Sequence, residues 1–161
     1  MLALRYAALL ALVVWVGGLI TLGAVVAPSA FDVLGTTGAA GRQQAGTLFG
    51  EILRRFHLIT YGCGALILIS LITRAILGPR PRRFAIRMAI TAAMIAASAW
   101  LGIVVAGQIA AAQKEIGVPV ASLPASDSRR EVFEGLHRLS RHLELVPFLG
   151  GLALLFWELK D

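Results

Sequence analysis

Two stretches of this chain run without a charged residue for longer than a bilayer crossing requires: Ala7 to Ala27, twenty-one residues, and Met88 to Gln113, twenty-six. A helix rises about 1.5 Å per residue, so a hydrocarbon core about 30 Å thick is crossed by about twenty apolar residues. The first run opens like a secretory leader, with Arg5 ahead of it and small residues in "APSA" after it. It is too long for the apolar segment of such a leader and is expected to be a retained first span. Composition agrees, with 58% hydrophobic and 15% charged residues and a mean hydropathy of +0.80. The expected fold is all-α, an integral membrane four-helix bundle forming one domain over residues 1–161.

The second and fourth spans are less uniform. "RQQAGTLFGEILRRFH" is amphipathic at helical spacing and leads into "LITYGCGALILISLITRAIL", so the second helix is expected to start outside the hydrocarbon near Gln43 or Gln44. Pro28 is expected to close the first helix, and the prolines of "GPRPRR" to force a turn between the second and third. Arg74, close to that turn, is positioned to snorkel to the interface. Asp127 or Ser128 can cap the fourth helix, whose first turns "RREVFEGLHRLSRHLEL" are again amphipathic. Helices 2 and 4 therefore extend beyond the membrane as amphipathic segments.

The net charge of +6 suits anionic lipid head groups and basic cytoplasmic flanks. No aromatic-interleaved basic patch points to nucleic acid. Arg74, Arg80, Arg82, Arg83 and Arg87 crowd one short loop without an acid among them, which places that loop, and with four spans both termini, in the cytoplasm of a bacterial inner or equivalent membrane. Cys63 is the single cysteine, so no internal disulfide forms.

The final apolar run, Leu145 to Trp157, is thirteen residues, about 20 Å of helix. The preceding "LHRLSRHLEL" must then lie partly within the bilayer thickness. His137, Ser140, Arg141 and Glu144 are related by steps of three and four and share a face, as do Arg54, His57, Tyr61 and Gly64 on the second helix. His57 stands twenty residues from Leu77, and His137 twenty from Trp157, each about 30 Å from the inner boundary. A shared polar intramembrane cluster of Arg54, His57, Tyr61, His137, Arg141 and Glu144 is expected near the outer interface. Three readings of it stay open. It is a polar plug in which Glu144 pairs with Arg54, Arg138 or Arg141; a site where His57 and His137 hold one haem or metal ion; or a proton or substrate path. His142 falls on a different face and is expected at the interface.

Small residues set the packing expectation. Gly17, Gly18, Gly64 and Gly150 would let backbones approach closely, the main source of helix association in lipid. Pro147 removes the helical donor of the Leu143 carbonyl, and a kink there is expected. No zinc-protease, Cys-x-x-Cys, phosphate-loop or Ser/His/Asp pattern is present, so catalysis of the soluble-enzyme kind gains no support and no catalytic residue is assigned.

The segments "WVGGLITLGAVVAPSAF", "LFGEILRRFH" and "FEGLHRLSRHLEL" together resemble the transmembrane-protein-205-like family, small four-helix membrane proteins grouped as a domain of unknown function. The resemblance implies architecture above all, and His57 in "RRFH" and His137 in "GLH" match the family's histidine positions. The first two helices are also distantly similar to membrane proteins of the copper-resistance-D type, where a W-x-GG helix ends near a proline and an RF pair opens the next helix. The chain departs from that type in having only Met1, Met88 and Met94 as methionines. The functional expectation is a non-enzymatic accessory or binding subunit of a larger membrane complex, contacting lipid and other membrane-protein subunits. A haem- or metal-binding protein and a small transporter are the alternatives.

Overall fold

A computed structural model describes residues 2–78 and 80–160. Four long apolar helices follow one another: α1, Leu2–Thr37; α2, Ala39–Leu77; α3, Phe84–Ile116; and α4, Ser128–Lys160. Among the described residues there is no strand, and the all-α four-helix bundle is the architecture. Each helix packs on its neighbours in sequence and α4 closes on α1, so α1 stands diagonal to α3, and α2 to α4. Both termini and the loop between α2 and α3 lie at one end; the charged stretch opening α4 lies at the other. Pro79 of "GPRPRR" lies outside the described residues.

Pro28 does not close α1. Its ring lacks the amide that would bond four residues back, and the helix absorbs the defect in a π turn, Leu22–Val26, where the Ala27 amide reaches the Leu22 carbonyl. The chain then continues helical through Ala27–Leu34 and a 3-10 turn, Gly35–Thr37. Gly38, with φ +84, turns it into α2, and Gly41 sits so close to the Leu34 carbonyl and Thr37 hydroxyl that no Cβ fits there. Helix α2 therefore begins several residues before Gln43. A second π turn, Trp100–Val105, interrupts α3.

Asp127 caps α4 as expected. Its Oδ1 accepts the Arg129 amide at 2.9 Å and its carboxylate accepts the Arg129 guanidinium, which holds the Asp127 acid below the ordinary carboxylate range. Helix α4 runs unbroken through Pro147.

The interior is a set of matched stripes. On α1 the buried positions include Ala8, Ala11, Leu12, Trp15 and Val16; on α2 they include Phe56, His57, Thr60, Cys63, Gly64, Ile67, Ser70 and Leu71. On α4 they are Pro147, Gly151, Leu154 and Glu158. These are the three- and four-residue steps of a single inward face. A Cβ on Gly18 would overlap the Phe56 ring, one on Gly64 would lie 2.6 Å from Ile95, and one on Gly150 would lie 2.9 Å from Met94. Gly17 differs: nothing stands within 4 Å of its would-be Cβ, so the packing expected of it belongs to Gly18 alone. The outward faces carry exposed Leu10, Val13, Leu58, Ile69, Ile103 and Phe156, a surface for lipid.

Candidate functional site

One step beyond each inward stripe, at the end holding both termini, stands a charged residue. Arg5 follows Ala8 on α1, Arg74 follows Leu71 on α2, Arg87 heads the stripe of α3, and Glu158 ends that of α4. The four converge. Arg74 Nη1 donates to both Glu158 carboxylate oxygens at 2.9 and 3.0 Å, and Arg87 Nη1 donates to Oε1 at 2.8 Å. Arg5 Nε stands 3.7 Å from Oε2 and its guanidinium donates to the Glu158 carbonyl. Arg87 Nη2 also donates to the Trp157 carbonyl at 3.2 Å. The Arg87 and Glu158 side chains are 2% and 4% exposed. Burying such groups is unfavourable unless they are paired and hydrogen-bonded, and here one carboxylate draws a cation from every other helix.

This tie was not anticipated. Arg74 was expected to snorkel and is instead turned inward, its side chain 12% exposed. The signal was in the sequence, since continuing each core stripe by one helical step lands on these residues.

At the opposite end, the polar cluster expected from spacing divides. His57 is buried at 6% exposure and stacks parallel to Tyr61, ring centres 6.3 Å apart. Tyr61 Oη donates to the Ser98 carbonyl at 3.3 Å, just ahead of the π turn of α3. Both side chains occupy the space left by Gly102 in that turn: a Cβ there would lie 2.7 Å from Tyr61 Oη and 3.1 Å from His57 Nδ1. No hydrogen bond reaches the His57 ring among the described residues.

The α4 half does not join them. His137 is exposed, with Nδ1 3.3 Å from the Phe133 carbonyl and its ring against Phe133. Arg141 and His142 are exposed as well. Arg54 pairs with Glu51 at 2.7 Å, one helical turn away on its own helix, so the expected Arg54–Glu144 pair does not form. Helices α2 and α4 stand diagonally, and His57 lies on the buried face of α2 whereas His137 lies on an exposed face of α4. No group of three or more His, Cys, Asp or Glu is placed to hold a metal among the described residues. Glu144 remains: it is half-buried, and its Oε1 is buried with no hydrogen-bond partner.

Residues 10–117 match the domain of unknown function DUF4149. The chain belongs to the DUF4149 family. That match runs from Leu10, within α1, through Gly102 to just past the end of α3. It lends no support to the likenesses to the transmembrane-protein-205-like family and to the copper-resistance-D type. Comparison with curated proteins and with solved structures gives no match.

Proposed function

We propose that this DUF4149 protein is a non-enzymatic accessory or binding subunit of a larger membrane assembly, with the Arg80 to Arg83 loop facing the cytoplasm. The supporting observation is what stands at and beyond the outer interface. Helix α2 has 39 residues, about 58 Å of helix against about 30 Å of hydrocarbon. Its outer end carries Glu51, Arg54 and Arg55 in an exposed ion-pair group. The amphipathic half of α4, at the level of the outer interface, adds exposed Arg138, Arg141 and His142, interleaved with exposed Val132 and Leu139. Apolar and charged groups alternating on a rigid projecting helix suit docking against another protein.

The test is native electrophoresis after mild detergent extraction from cells with unaltered expression. The expected outcome is migration in an assembly larger than the chain, lost when Arg138→Glu and Arg141→Glu are introduced together. Migration of the wild-type chain by itself contradicts the reading. The haem- or metal-binding alternative needs His57 and His137 to converge, and an absorption spectrum with metal analysis of the gently purified protein checks it.

A further inference from the structure

Glu144 and Glu158 belong to one face of α4. Glu158, Leu154, Gly151 and Pro147 are its buried residues, and the next three-residue step back along the same stripe reaches Glu144. The two carboxylates are fourteen residues apart, about 21 Å along the helix, so with Glu158 near the inner boundary Glu144 still falls within the hydrocarbon thickness. Glu158 is met by three arginines. Glu144 makes no ion pair among the described residues, and its Oε1 is buried without a partner.

No neighbouring helix supplies a countercharge at this level. Gly150 against Met94 sets the register of α4 on α3, and six residues in opposite directions from that pair bring Glu144 level with Trp100, the first residue of the π turn. Helix α3 has no titratable side chain between Arg87 and Lys114, and α1 none between Tyr6, at its inner end, and Asp32. Helix α2 brings His57 and Tyr61, held against Gly102 in that same turn. On α4 itself His137, Arg138, Arg141 and His142 are exposed. Oxygen, by contrast, is at hand. Pro147 has no amide to offer the Leu143 carbonyl, so a backbone oxygen without its helical donor stands one residue back along α4 from Glu144. A carboxylate and helix-freed carbonyls inside a bundle are the ligands that hold small hard cations in membrane proteins.

We propose that Glu144, with the Leu143 carbonyl beside it and the π turn of α3 facing it, is the binding site of a small monovalent cation, either sodium or a proton. The bound cation supplies the charge that the arginines supply to Glu158. This site is independent of the docking surfaces on the outer ends of α2 and α4.

Two measurements on the purified full-length protein test it and separate the two cations. The first is the thermal unfolding midpoint at fixed pH and ionic strength as sodium chloride replaces choline chloride. With sodium as occupant the midpoint rises with sodium and saturates, the rise vanishes in Glu144→Gln, and Pro147→Ala, which restores the amide donor to Leu143, shifts the response at least tenfold to higher sodium. The second is the infrared carboxyl region. With a proton as occupant the wild type shows a protonated carboxyl band that does not respond to sodium, disappears in Glu144→Gln and shifts in Glu144→Asp, the variant to use should the amide fail to fold. A wild-type protein with neither a sodium response nor a protonated carboxyl band overturns the proposal. So does a response or band that every Glu144 variant leaves unchanged.

Discussion

Truncating Arg87 to alanine removes one of the cations bound to a carboxylate that is itself 4% exposed, whereas truncating Arg5 removes a guanidinium 3.7 Å away and 32% exposed. Breaking a buried pair costs about 3–5 kcal/mol, and a solvated pair is worth about 1 kcal/mol or less. Arg87→Ala is therefore expected to destabilise the bundle severely and Arg5→Ala mildly, as read by chemical denaturation in detergent; equal effects would remove the graded tie. A second expectation at this scale concerns Gly102. Gly102→Ala pushes a methyl group against Tyr61 Oη and His57 Nδ1, and overpacking of this kind costs about 1–3 kcal/mol. Removing the hydroxyl in Tyr61→Phe should recover part of that loss in the double variant. Strict additivity of the two losses would mean the hydroxyl is not what the glycine accommodates.

Among the elements, small residues separate by what faces them. Gly18 and Gly64 have Phe56, Ile95 and Trp15 against them, while Gly17 faces open space. Gly17→Ala should leave stability unchanged or raise it by up to about 1 kcal/mol through helix propensity, while Gly64→Leu unfolds or destabilises the bundle in the same thermal assay. The four spans, the Asp127 cap and the amphipathic outer ends of α2 and α4 were legible from run length and periodicity. Helix ends were less so: Pro28 reads as a terminator, and only a π turn, which composition does not announce, carries the helix past it. Depth was less legible: counting from the inner boundary matches His57 with His137, whereas His57 packs at Gly102 in the α3 π turn, a level that α4 reaches nearer Glu144. Which helices face one another was not legible, because periodicity fixes a helix's own inward face and leaves the order of helices around the bundle open. That is why spacing offers Arg54 to Glu144, beside Arg138 and Arg141, whereas in the folded chain Arg54 pairs with Glu51.

For the whole molecule, the ring order of the helices brings both termini and the loop between α2 and α3 to one end, where the ionic tie joins all four helices. Exposed Arg80, Arg82 and Arg83 crown that end, and the orientation proposed above, on the positive-inside rule, has it in the cytoplasm. An introduced Arg82→Cys should resist an impermeant thiol reagent in intact cells and react after lysis; efficient labelling from outside would invert the topology. The central claim is that the bundle is held by full charge compensation at Glu158 and by no internal salt bridge at Glu144. The most direct measurement compares the unfolding free energies of Glu158→Gln and Glu144→Gln with wild type in one sodium-free detergent buffer. Glu158→Gln leaves Arg74 and Arg87 without the anion they share and is expected to lose about 3–5 kcal/mol, with Glu144→Gln close to wild type or above it. Equal losses, or a larger loss at Glu144, would contradict the account.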